Sequence, residues 1–103
     1  MRAWFGYGGT FDPIHNGHLA VALAVRDRLD VDVHLVPASD PPHKSATHAD
    51  APHRLRMVEL AVAGERRLKV DRRELARETP SYSIDTLHEV RCEVGRRTPL
   101  VWV

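Results

Sequence analysis

Gly8-Gly9-Thr10-Phe11-Asp12-Pro13-Ile14-His15-Asn16-Gly17-His18 joins two segments of different hydrophobic period. Before it, Ala3 to Tyr7 is short, apolar and aromatic, the pattern of a buried strand. After it, His18 to Leu29 places Leu19, Ala22 and Leu23 on one helical face and Val21, Val25 and Leu29 on another. Apolar residues on two faces predict a helix packed against a sheet, with Asn16 as its candidate cap. The glycines and both histidines therefore stand at a strand-to-helix junction. There, backbone N–H groups and the helix dipole favour an anion, and a phosphate-handling site is expected.

The pattern repeats along the chain. Val31, Val33 and Leu35 alternate through Val36, predicting a second strand. Ala38 to Ser45 is a proline-rich loop, and the chain stays polar to Ala51. Pro52 suits a first helical turn, Leu55, Val58 and Val62 mark the buried face of that helix, and Gly64 ends it. A short third strand is expected from Leu68 to Asp71, and a solvated loop from Arg72 to Glu78. Ser81 or Ser83 can cap a third helix with Ile84, Leu87, Val90 and Val94 as its apolar face and Gly95 as its stop. Leu100 to Val103 then reads as a fourth strand. This alternation predicts an α/β fold with a parallel sheet, Rossmann-like, in which residues 1–103 form one partial domain cut off after the fourth strand.

Composition narrows the function classes. The chain has 103 residues, 43% hydrophobic, and a formal net charge of +1. That balance argues against a nucleic-acid partner. Its one cysteine, Cys92, excludes an internal disulfide and fits a reducing cytoplasm. No apolar run approaches the ~20 residues of a membrane helix, so no membrane association is expected. Of the seven histidines, His34, His53 and His88 read as ordinary strand and helix residues.

Two alternatives for the junction can be tested directly. Gly6-Tyr7-Gly8-Gly9-Thr10-Phe11 has the GxG of a dinucleotide fingerprint, but Phe11 replaces the third glycine and the second strand ends in Pro37 instead of an acidic residue. His15 and His18 alone do not close a zinc site, and no protein-held metal is expected. The remaining reading is that both imidazoles donate to phosphate oxygens during a phosphoryl or nucleotidyl transfer, while Gly17 lets a phosphate approach the backbone.

The eleven-residue stretch resembles the signature of the HxGH nucleotidyltransferases. Asp40-Pro41-Pro42-His43-Lys44 and Thr79-Pro80-Ser81-Tyr82-Ser83-Ile84-Asp85-Thr86-Leu87 are similar to segments of the bacterial nicotinate-mononucleotide adenylyltransferases, with Ser83 where threonine is usual. The resemblance implies transfer of AMP from ATP to nicotinate mononucleotide, with Mg²⁺ arriving on ATP, as a step of NAD synthesis. It implies that Gly8, Gly9, Thr10 and Phe11 line the nucleotide through backbone contacts. His15, His18 and Lys44 would act in catalysis, His43 would help hold phosphates, and Tyr82 and Ser83 would meet the pyridine carboxylate. Asp12 would orient the turn or touch substrate.

The family's later GxDxxxxxxxW and ISSTxxR segments have no counterpart here, which points to the first half of a larger enzyme. A sister adenylyl- or cytidylyltransferase, or an inactive nucleotide-binding fragment, are the alternatives. An exposed fourth strand would favour a homo-oligomer.

Overall fold

The computed structural model describes residues 2–39, 49–77 and 82–103. In chain order the elements are β1 (Trp4–Gly9), α1 (Asn16–Leu29), β2 (Val33–Pro37), α2 (Ala51–Val62), β3 (Leu68–Val70), α3 (Ser83–Val94) and β4 (Leu100–Trp102). The four strands form one sheet in the order β3-β2-β1-β4. Every pairing is parallel, and Phe5 of β1 stands opposite both Val33 and Val101. The expected α/β parallel sheet is present, and helices cover both of its faces.

Alternation along the strands decides which helix goes where. Phe5, Val33, Leu35 and Leu68 pack with Ala22 of α1 and with Val58 and Val62 of α2. Trp4 and Val36 point the other way and pack with Val90 of α3. The chain thus moves outward from β1 to β3 on one face, then returns across the other face to place β4 beside β1. In such a sheet the reversal opens a crevice at the carboxyl ends of the two strands that flank it, here β1 and β4. Gly8 and Gly9, the last residues of β1, end at that crevice.

Three sequence expectations change. Ile84 is 58% exposed; Val90 is fully buried with Val94 packed beside it, as expected, and the fully buried Thr86 joins that inward face. Thr86 can face inward because its hydroxyl donates to Glu74 Oε2 at 2.6 Å. Arg72 to Glu78 is not a solvated loop over its described part. Arg73 joins Asp71 (2.9 Å) to Glu93 (2.8 Å), and Arg77 pairs with Glu89 and donates to Thr86 Oγ1. The segment clasps α3 to β3. Finally, Ser83 is the first residue of α3 and Tyr82 is its cap, with no side-chain hydrogen bond; Ser81 lies outside the described residues. No described helix is long and apolar enough to cross a membrane.

The glycines of β1 have a packing cause. A Cβ on Gly6 would stand 2.4 Å from the Trp4 ring and 2.7 Å from Trp102. One on Gly8 would stand 2.3 Å from Trp102 Cζ2. The GxG of this strand is therefore the seat of the Trp102 indole. Gly8→Ala should lower unfolding free energy by about 1–3 kcal/mol, the usual cost of overpacking. Urea denaturation checks this. In a double-mutant cycle with Trp102→Leu, the combined loss should be smaller than the sum of the single losses.

Candidate active site

Beyond Gly9 the chain turns sharply. Phe11 adopts a left-handed backbone (φ 52°), yet its side chain is only 3% exposed. Such a conformation costs a non-glycine residue about 1–3 kcal/mol and persists only where the surroundings enforce it. Here the ring fills the space beside Gly9, where a Cβ would come within 3.2 Å of it. It also lies edge-on to Tyr7 at 5.7 Å and to His18 at 5.1 Å. The strained residue is thus a wedge beneath a histidine.

The start of α1 is built by the two histidines themselves. His15, not Asn16, is the cap, in extended conformation, and Asn16 is the first helical residue. Sequence preference favours Asn there, but here the imidazole nitrogen of His15 is the acceptor. Gly17 N–H donates to His15 Nδ1 at 3.0 Å, and His15 N–H donates to His18 Nδ1 at 3.0 Å. The rings lie 3.9 Å apart, centre to centre.

These bonds settle the protons. Each Nδ1 accepts from a backbone N–H, so in the neutral ring each proton sits on Nε2. The far side of both rings then presents an N–H donor. No acidic residue stands in the first turn of α1 to compete with an incoming anion. Burial, and then the neighbouring His15, hold the pKa of His18 below its ordinary 6.5. The two rings stand together at the N-terminus of α1.

The glycine at 17 is explained differently from the sequence reading. A Cβ there would lie 2.8 Å from His15 Cε1, and its N–H is already bound to that ring. In this structure Gly17 makes room for the imidazole. Gly8 N–H likewise donates to Val103 O at 3.0 Å, so that donor belongs to the sheet. Asp12 orients the structure: its Oδ1 accepts from Ala49 N–H at 3.1 Å, just before α2.

His15, His18, Phe11 and the Gly9–Thr10 turn come together. Tyr82 and Ser83 stand at the start of α3, on the opposite face of the sheet, and both are exposed. His43 and Lys44 lie outside the described residues. Sequence reasoning missed Arg54, which is completely buried. Its signal was spacing: Arg54, Val58 and Val62 recur at four-residue intervals, so the arginine belongs to the inward face of α2. Of the ordinary histidines, His53 pairs with Asp50 at the start of α2, and His34 stacks on Trp4 with ring centres 4.7 Å apart.

Known proteins resemble this chain along most of its length. Residues 6–103 match the family described as Cytidylyltransferase-like. The chain belongs to that family. It is 50% identical over 102 residues to a probable nicotinate-nucleotide adenylyltransferase of Stenotrophomonas maltophilia, covering 94% of this chain and 46% of the relative. Proteins with the same description from Xylella fastidiosa (48% identical; 94% and 46% covered) and Marinobacter nauticus (51%; 94% and 45%) are similarly related. The chain spans about half the length of these curated relatives.

The histidines also set a pH dependence. Burial holds His34 below its ordinary 6.5, as burial and His15 do His18. Just below pH 6.5 the unfolded chain therefore binds more protons than the native one. The stability they contribute is complete above 6.5 and falls as pH drops toward the native-state values. Thermal unfolding should show a midpoint that is flat between about pH 7 and 8 and declines below 6.5, with a shallower decline in His18→Asn.

Proposed function

We propose that this chain carries the phosphate-handling part of a nicotinate-nucleotide adenylyltransferase. The observation that carries the reading is the pair of imidazoles, each with Nδ1 held by a backbone N–H and Nε2 free to donate, at the carboxyl end of β1. The names of the relatives supply the substrate class.

In this reading, a phosphate oxygen of nicotinate mononucleotide attacks the α-phosphorus of ATP in line, the new P–O–P bond forms, and pyrophosphate leaves with the electron pair of the broken bond. The nucleophile is already anionic at neutral pH, so no side chain needs to remove a proton. His15 and His18 donate from Nε2 to phosphate oxygens as negative charge gathers on them, with the N-terminus of α1 behind. Burial, and then the neighbouring His15, hold His18 below its ordinary 6.5 and so favour the neutral ring there.

ATP enters as its Mg²⁺ complex. Among the described residues no three His, Cys, Asp or Glu side chains converge on one point. The donors of the site are nitrogens, whereas Mg²⁺ takes oxygen ligands, which the triphosphate offers. In this reading His43 and Lys44, which follow β2 in the sequence, add donors. At the start of α3, Tyr82 and Ser83 receive the pyridine carboxylate at backbone N–H groups that carry no side-chain cap.

The test is pyrophosphate release by the full-length protein with Mg²⁺, either ATP or CTP, and either nicotinate mononucleotide, pantetheine phosphate or a polyol phosphate. Release is expected with ATP and nicotinate mononucleotide. His18→Ala should lower kcat by about 10²–10³, the usual loss for one transition-state donor. Turnover only with CTP, or only with another phosphate ester, would assign the chain to a sister activity.

A further inference from the structure

Arg54 is a buried cation placed among backbone, not at the surface. It is the largest of the fully buried side chains and sits in the first turns of α2. Its Nη1 donates to Thr10 O at 2.7 Å and to Ala38 O at 2.9 Å, and its Nε donates to Ala49 O at 3.2 Å. These carbonyls belong to three separate pieces of chain: the turn after β1, the segment leaving β2, and the entry to α2. Asp12 closes the same junction from the other side by accepting from Ala49 N–H.

We propose that Arg54 is a positioning residue for the phosphate-handling histidines, an inference that rests on the functional reading above. The guanidinium holds the carbonyl of Thr10, and Thr10 precedes the strained Phe11. Phe11 in turn braces His18 through an edge-on contact. Arg54 thereby sets the height of the His18 ring without touching substrate. It does so through direction as well as charge. Guanidinium N–H groups leave a plane in fixed directions, so one side chain can reach three carbonyls that diverge. A lysine ammonium keeps the charge, but as a compact point on a flexible stem it cannot reproduce that fork.

The experiment compares full-length wild type with Arg54→Lys and Arg54→Met by three measurements: thermal unfolding, calorimetric affinity for a non-hydrolysable ATP analogue, and the imidazole NMR signals of His18. Steady-state KM values for both substrates are added. Both variants should fold with lower melting temperatures. Arg54→Lys should bind the ATP analogue about tenfold or more weakly, since small displacements at a reacting site have large effects. Its His18 imidazole signals should move, and KM for the mononucleotide should stay near wild type. Folded variants with wild-type nucleotide affinity and unmoved His18 signals would overturn the proposal. So would failure of both variants to fold, which would make Arg54 a stability residue only. If wild type transfers nothing to nicotinate mononucleotide, but Arg54→Lys still loses nucleotide affinity and moves His18, the substrate assignment fails and the positioning role stands.

Discussion

Two hydrogen bonds at the start of α1, Gly17 N–H to His15 Nδ1 and His15 N–H to His18 Nδ1, are the constraint on which the site depends. They satisfy helix-end donors that would otherwise need water or another cap. In the same stroke they assign both tautomers, and so determine that two N–H groups face outward. A residue pair that could have been mere phosphate ligands is also the structural cap of the helix whose dipole supports them. Under the proposed function, stability and chemistry share the same atoms. Neither histidine can be changed without altering the helix start as well.

Everything that surrounds this cap serves to hold its position. The Phe11 ring lies against His18 from a backbone conformation that L-residues avoid, and Tyr7 lies edge-on to both rings. Asp12 and Arg54 tie the turn to the entry of α2. On the other face of β1, the absence of side chains at Gly6 and Gly8 lets Trp102 lie flat across the strand. β4 is thereby pressed against β1 at the reversal of strand order. The crevice at the carboxyl ends of these two strands follows from that packing, and the histidines stand beside the end of one of them.

Most of the fold was legible in the sequence because its signals are local. Period-two runs such as Val31, Val33 and Leu35, the prolines after Val36, and Gly64 and Gly95 at helix ends report on neighbours a few residues away. The errors fell where a distant partner, or a side-chain geometry that propensity does not carry, decided the outcome. Ile84 looked like core until Thr86 found Glu74, twelve positions earlier. The charges of Arg73 and Arg77 looked solvated until Glu93 and Glu89 of α3 came alongside. Asn16 looked like the cap because propensity cannot register an imidazole held at the right angle by the next turn.

By itself, the sequence determined the order of strands and helices, the parallel α/β class, and the presence of a glycine-and-histidine junction suited to phosphate. These follow from hydrophobic period and turn chemistry, which are properties of adjacent residues. Only the tertiary structure decided which ring nitrogen of His15 and His18 accepts, the role of Gly8 as a seat for Trp102, and the placing of Arg54 beneath the turn. Each of those depends on atoms from elements that meet only once the sheet has formed, and hydrogen-bond direction and steric fit act across that gap, not along the chain.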